Sequence, residues 1–530
     1  MALQVDSPAS GKITFTITGS NYQIDSGDAT IDTKKTHTYK KAGLYDIEIS
    51  GDVKTFSISS TGLTAKPVKL YSLALPKVTK MDFSAACFGV REMLGQSLVG
   101  AIPDLPESLT DGSNMFRGCW KLSGGIPKLP NGLTNGRSMF DNCKGLTGNI
   151  PELPSSLKDG SAMFFYCKGL TGGIPALPDS LTNGTNMFAE SSGLNGKITS
   201  FGKGLIEGSG MFSKCSSLTG DVPALPDGLT NGDNMFSECS SLNGRITSFG
   251  TKLTNGQFMF YMCSNLTGDI PALPDTLTNG REMFRGCGKL NGKITSLPTK
   301  LKNGNWMFYD CYQLTGSIPK LPRGLTDGGG MFANCGRLTG SIPTLPTKLT
   351  SGARMFYDCR SLTGKIPTLP SVLTSGEEMF YNCQNLTGTI PALPSGITNG
   401  REMFFNCNKL SGSIPQLPAG LTNGAGMFTN CFNLTGKIPT LPKELADGGG
   451  SSGTHINGVD LHEGMFENCR GLTGSVPTLP NSLIDGGYMF SGCSGLTGRT
   501  PTKPSNISTY TNIFAGTQVT NDGSWPDSAW

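Results

Sequence analysis

The sequence predicts a mainly β chain in which a small β-sandwich is followed by a solenoid of about eighteen coils. Three observations predict it. A Met-Phe pair recurs every 24 residues from Met115 to Met427 without a slip. Glycine (73) and proline (33) make up about a fifth of the 530 residues, as turns at fixed spacing require. The first sixty residues do not share this period and instead alternate apolar with polar side chains.

The amino-terminal strands come first. Ile13-Thr14-Phe15-Thr16-Ile17 and Tyr45-Asp46-Ile47-Glu48-Ile49 have the period of half-buried strands, and residues 1–62 are expected to close into a small antiparallel sandwich. Ile24-Asp25-Ser26-Gly27-Asp28, taken with His37-Thr38-Tyr39 and Ala42-Gly43-Leu44-Tyr45, resembles the Asp-x-Gly-Asp-Gly and His-x-Tyr patterns of PKD-like domains, with Ala29 where that pattern has its second glycine. The resemblance implies a spacer or docking module that attaches the chain to a larger assembly. Residues 63–90 read as a linker and an N-terminal cap.

The repeat fills residues 91–517. Its unit is Met-Phe-x-x-Cys-x-x-Leu-Thr-Gly-x-Ile-Pro-x-Leu-Pro-x-x-Leu-Thr-Asn-Gly-x-x, with a shortened first unit around Met93 to Leu98 and a last one beginning at Ile513. Met427 and Met465 are 38 residues apart, so a loop is inserted near 448–462; residues 518–530 read as a tail. A unit offers about seven apolar side chains, worth roughly 1.5–3 kcal/mol each when fully buried. Ordering its backbone costs about 1–2 kcal/mol per residue. One unit cannot fold alone, whereas stacked units share a continuous core. The expected path is a short strand over Leu-Thr-Gly-x-Ile, a turn at the prolines and a helical turn at Met-Phe-x-x-Cys.

Met-Phe-x-x-Cys-x-x-Leu followed by Ile, Leu and Leu resembles the repeat of the BspA-like leucine-rich repeat surface proteins of bacteria, over residues from about 90 to 517. The resemblance implies a leucine-rich-repeat-type solenoid with a binding role. Members are exported adhesins, and similar modules resemble parts of phage tails.

Fifteen of the sixteen cysteines stand four residues after the Met or its equivalent, with Ser191 and Thr517 replacing the thiol in two units and Cys87 outside the series. A thiol that always points into the core reads as a free, structural group that supports the turn. No Cys-x-x-Cys or Cys/His spacing suggests a metal. Only three histidines exist. His37 belongs to the β domain's turn, while His455 and His462, with Asp460, lie in the glycine-rich insertion and read as part of a surface loop rather than a metal site. Glu377-Glu378 reads as solvated surface, and the Asn-x-Thr sequons at Asn265, Asn385 and Asn433 merely follow the repeat. No catalytic residue, metal or cofactor is expected.

Basic and acidic residues number 43 and 39, without a run of either sign, so nucleic acid is not an expected partner. No apolar stretch is long enough to insert in a membrane. Lys197, Asp221, Arg245, Asp269 and Lys293 share one column in a two-unit superperiod and are expected to stack as an alternating charge ladder. A second column, two residues after each Met, carries Phe165, Tyr261, Tyr309, Tyr357, Tyr381 and Phe405, with Phe258 and Trp306 just before their Met. Trp306, Tyr309, Tyr357, Tyr381 and Phe405 are the expected partner-binding strip, suited to a protein hot spot or to stacking on sugar rings; the alternative is that the rings fill grooves between coils and serve packing alone.

These readings converge on a non-enzymatic recognition protein that presents a solenoid surface to a protein or glycan receptor on a cell surface. The start of the chain, Met1 to Pro8, lacks the basic and apolar regions of a secretory signal, which tilts the expectation toward a phage tail, in the virion, over an exported adhesin on the bacterial surface. A polysaccharide-active enzyme is the competing class. It requires two converging carboxylates, and no such pair stands out from the columns.

Overall fold

The computed structural model describes residues 2–5, 12–38, 40, 43–61, 68–69, 78, 80–83, 98–450, 455–456, 459–460 and 463–530. It forms two units, Met1–Leu266 and Thr267–Trp530.

The first unit begins with nine strands: β1 (Ala2–Val5), β2 (Lys12–Asp25), β3 (Ile31–Asp32), β4 (Thr36–Thr38), β5 (Gly43–Asp46), β6 (Glu48–Thr61), β7 (Val68–Lys69), β8 (Lys80–Asp82) and β9 (Leu98–Val99). The long strands β2 and β6 pair antiparallel, with Phe15 opposite Ile58 and Ile24 opposite Ile49. As the alternation predicts, Phe15 and Ile17 are buried and Thr16 is exposed. The second predicted strand differs from expectation. Ile47 is a buried break between β5, which pairs with β1, and β6, which pairs with β2, so the chain changes sheet there.

This sheet runs straight into the solenoid. β8 pairs parallel with β6, Lys80 bridges Asp111 of the first full coil, and the Phe83 N–H donates to the Met115 carbonyl at 2.8 Å. The shortened unit around Met93 lies outside the described residues.

The typical coil buries Met, Phe, Cys and four leucine, isoleucine or valine positions almost completely. In the first unit the Phe rings stack from Phe83 through Phe116, Phe140, Phe164, Phe188, Phe212 and Phe236 to Phe260, with centroids 5.1–5.7 Å apart. The second unit repeats this from Phe284 to Phe514. Each stacked pair adds about 0.5–1.5 kcal/mol to simple burial.

Two features of the path are as expected and one is not. Parallel pairing occurs over Leu-Thr-Gly, as at Gly148–Asn149 with Leu170–Thr171, and the prolines open the next turn, the Leu133 N–H donating to Pro130. Met-Phe-x-x-Cys forms no helix. Its residues run between successive tight turns, Met139 N–H to Gly136 and Cys143 N–H to Phe140, while the Phe140 N–H reaches the Met163 carbonyl of the next coil. Hydrogen bonding between coils replaces bonding along a helix. A second parallel ladder follows the Asn of Leu-Thr-Asn-Gly, Asn135 to Asp159 to Asn183. The glycine after it is forced by packing: a Cβ on Gly136 would stand 2.7 Å from Met163 Sδ.

The cysteine column holds the stack from inside. Cys143 Sγ donates to the Phe116 carbonyl at 3.0 Å and Cys359 Sγ to Phe332 at 3.1 Å. Ser191 does the same to Phe164 at 2.7 Å and also accepts the Cys167 N–H. Fourteen of these cysteines are free and buried. Burial pushes the thiols of Cys167 and Cys431 up to about 12. Cys119 departs from the expected uniform series because it is disulfide-bonded.

The charge column also departs from expectation. Lys197, Asp221 and Arg245 are exposed in the first unit, and Asp269 and Lys293 in the second. Yet Asp221 Oδ1 accepts the backbone N–H of Arg245, and Asp269 Oδ1 that of Lys293, each at 2.8 Å. A short carboxylate reaches the adjacent backbone before it reaches the end of a long cation, so the column caps the backbone. The sequon amides have a similar use: Asn385 Nδ2 donates to the Arg360 carbonyl and Asn433 Nδ2 to Asn408.

The second unit ends in a lid over its core. Trp525 and Trp530 lie 5.1 and 5.5 Å from the Phe514 ring, and the Phe514 N–H donates to Ala529. Within the insertion, His455–Ile456 pairs antiparallel with Val459–Asp460; His462 lies outside the described residues.

Candidate functional site

The site is built on two left-handed positions in nearly every described coil, just before Met and three residues after it. At the second, Asn142, Asp310, Asn334, Asp358 and Asn382 suit the conformation, because Asn and Asp tolerate it better than other side chains. At the first, the residues vary. The early coils have Asn114, Ser138, Ala162, Asn186 and Asn234. From Phe258 on, bulky or charged residues take it in most coils: Phe258, Glu282, Trp306 (φ 53°), Arg354 (58°), Glu378 (51°), Glu402 (52°) and Tyr488. Such residues cost about 1–3 kcal/mol there and persist only where the surroundings dictate the geometry. Here the ladder dictates it: the N–H groups of Trp306, Arg354, Glu378 and Glu402 each donate to the next coil at 2.8 Å.

Two residues after Met, the rings stack as expected. Tyr357 and Tyr381 are 4.6 Å apart with a 9° interplanar angle, and Tyr381 and Phe405 are 4.6 Å apart at 5°. All three are half-buried. Burial, with Glu378 nearby, pushes the Tyr357 hydroxyl up to about 12, so it remains a hydrogen-bond donor at neutral pH. Trp306 and Tyr309 meet edge to face at 4.8 Å, and the Arg285 guanidinium lies 5.0 Å from the Tyr309 centroid. One coil, that of Ala333, separates this pair from the three stacked rings.

A cavity of about 480 Å³ opens over that coil, lined by Trp306, Tyr309, Ala333, Asn334, Tyr357 and Tyr381 together with charged side chains. The volume suits a small ligand. Sequence reasoning missed those charges. Glu378, expected on the solvated surface, is 6% exposed and accepts from Arg354 Nη2 at 2.6 Å. Asp358 accepts from Arg360 Nε at 2.7 Å. Beyond the rings, Arg401 Nη2 lies 2.5 Å from Glu402 and 3.3 Å from Glu463. Burial, and a hydrogen bond with Glu463, push the Glu402 carboxyl up to about 9, against the pull of Arg401. The available signal was the replacement of Asn, Ser and Ala before Met by Trp, Arg and Glu in neighbouring units.

Among the described residues no group of three His, Cys, Asp or Glu side chains could hold a metal ion, and no helix is long and apolar enough to cross a membrane. His37 is far from this site in sequence, its Nε2 2.9 Å from Asp28 Oδ2 in the amino-terminal strands.

Stacked 24-residue coils, a buried Leu/Phe/Met core and an inward Cys column define a leucine-rich repeat solenoid. Residues 328–446 match the model of the BspA type leucine rich repeat region in six copies, and residues 110–225 and 208–321 match a Mycoplasma protein family of unknown function. Over residues 328–446 the repeats are of the BspA leucine-rich type. No curated protein matches it. Among solved structures it is similar to a leucine-rich repeat protein from Bacteroides ovatus (22% identity, 72% of this chain and 90% of that one, TM-score 0.45). Another, from Eubacterium ventriosum, matches at 16% identity over 81% and 92% of the two chains, TM-score 0.29. The leucine-rich effector YopM from Yersinia pestis matches at 16% identity over 77% and 76%, TM-score 0.19.

Proposed function

We propose that this chain is a non-enzymatic recognition protein, displayed on a bacterial surface or a phage tail, that binds a receptor on another cell through the aromatic strip Trp306, Tyr309, Tyr357, Tyr381 and Phe405. The observation that carries this is the stack of Tyr357, Tyr381 and Phe405, half-buried rings 4.6 Å apart beside a cavity of about 480 Å³. Half-exposed, pre-stacked rings add contact area at small entropic cost.

The cysteine chemistry supports display outside the cytosol. A disulfide at Cys119 belongs to an oxidising setting. The free thiols would survive there because burial keeps them protonated, and a protonated thiol is unreactive. In this reading the amino-terminal strands, PKD-like in motif, form the docking end.

The test is attachment of the labelled chain to a panel of bacterial and mammalian cells, with the double variant Tyr357→Ala/Tyr381→Ala alongside. Lost attachment with unchanged melting supports the strip; lowered melting with attachment intact makes the rings packing only. Antibody labelling of phage tails or of cell envelopes decides where the chain is displayed.

A further inference from the structure

Charge is not spread evenly over the repeat. In the sixteen repeats from Met115 to Met489, the fifth and sixth positions after Met hold eight basic residues and no acidic one, in a chain with 43 basic and 39 acidic residues. Three of the eight, Lys121, Lys144 and Lys168, come from the first three full coils and are exposed. Coils that pair as parallel strands stand about 4.8 Å apart. The three ammonium groups therefore form a row with one cation to each coil.

Nothing nearby cancels that row. From two residues before Met to ten after it, these three repeats carry five basic residues and one acidic residue, Asp141. Asp141 is taken by Arg117, whose Nε lies 2.9 Å from its Oδ2. Lys144 and Lys168 lie against a ring instead of a carboxylate, their Nζ atoms 4.6 and 4.3 Å from the Tyr166 centroid. A ring holds an ammonium in place without neutralising it. Trp120, 44% exposed, ends the row, with Lys121 Nζ 4.8 Å from its centroid.

One cation per coil suits a linear polyanion, because each further charge on the ligand meets the next coil, and charge of one sign on a protein surface concentrates such a chain. A single-stranded nucleic acid takes much of its affinity from bases stacked on open aromatic faces. Tyr166 is already met by two ammonium groups. A polysaccharide with carboxylates or sulfates along its length needs only the cations, and Trp120 gives one of its sugar rings an exposed aromatic surface.

We propose that Trp120, Lys121, Lys144 and Lys168 form a site for a linear acidic polysaccharide, separate from the aromatic strip and independent of it. The probes are oligogalacturonate, chondroitin sulfate oligosaccharides, neutral dextran oligosaccharides and oligothymidylate of matched length, with binding to the full chain followed by calorimetry at low and high salt. At least one acidic oligosaccharide should bind where dextran does not, and should weaken by about tenfold or more as salt rises. Binding of the first alone assigns a uronate, of the second alone a sulfated glycan. Lys144→Gln/Lys168→Gln should weaken it by about tenfold with the melting temperature unchanged, and Lys144→Arg/Lys168→Arg should keep it. Lys203→Gln/Lys252→Gln makes the same change of net charge at exposed positions elsewhere and should leave binding as it was. So should Tyr357→Ala/Tyr381→Ala, which tests the other surface. Binding of neither acidic probe, an equal loss in either of the last two variants, or tighter binding of oligothymidylate overturns the proposal.

Discussion

Asn186 in the first unit and Glu378 in the second occupy equivalent places in their coils, just before Met, with φ 54° and 51°. Both donate their N–H to the next coil at 2.8 Å. The backbone is therefore identical, and only the side chain differs: one suits the left-handed conformation and the other is held there by the stack. Two residues after the next Met the contrast repeats, with Ala189 in the first unit and Tyr381 in the second. The comparison teaches that the solenoid ladder is strong enough to carry unfavourable residues.

If the core is common to both units, Phe164→Ala and Phe356→Ala should cost the same, about 3–5 kcal/mol each by chemical denaturation; a large difference would show that the units are not equivalent inside. Next in size is the hydrogen bond of the cysteine column. Ser191→Ala should cost about 1–3 kcal/mol, because it leaves the Phe164 carbonyl and the Cys167 N–H buried without this partner. Ser191→Cys should be close to neutral, since Cys fills this place in other coils.

The comparison itself is tested by exchanging its terms. Asn186→Glu should destabilise by about 1 kcal/mol, and Tyr488→Asn, at φ 56° outside the strip, should stabilise by a similar amount. Equal and negligible effects would show that the stack carries these residues without strain.

The smallest expected effect is one of pH and belongs to the second unit. Burial raises Glu402 to about 9, Glu467 to about 7 and Asp447 to about 6. Above the ordinary carboxylate range the folded chain then holds protons that the unfolded chain has released, so stability falls as pH rises toward 9. Protection factors in the coils from Met403 to Met489, with the base-catalysed intrinsic rate divided out, should be larger at pH 5 than at pH 8.5, and Glu402→Gln should flatten the difference. An unchanged slope would mean that Glu402 is ionised in the folded chain.

Much of the architecture was legible because it repeats. Phe, Cys and Leu recur at 24 residues, and any side chain that recurs so strictly must meet its own copy. The aromatic strip was legible for the same reason. Glu378 was not, since a charged residue in a variable column looks solvated until Arg354 of the preceding coil is placed 2.6 Å away. Nor was the path at Met-Phe-x-x-Cys: its spacing allows a helical turn, and only the neighbouring coil, by accepting the Phe N–H, decides against it.

The sequence by itself determined the period, the buried set and the columns that share a face, because those follow from which residues recur at which spacing. The tertiary structure decided what the columns do. Asp221 reaches a backbone N–H rather than a lysine, and Glu378 is buried against Arg354 rather than solvated. The physical reason is distance: a hydrogen bond or a ring contact is fixed within tenths of an ångström by the coil on either side, and a single chain of letters carries the order of the coils but not the gaps between them.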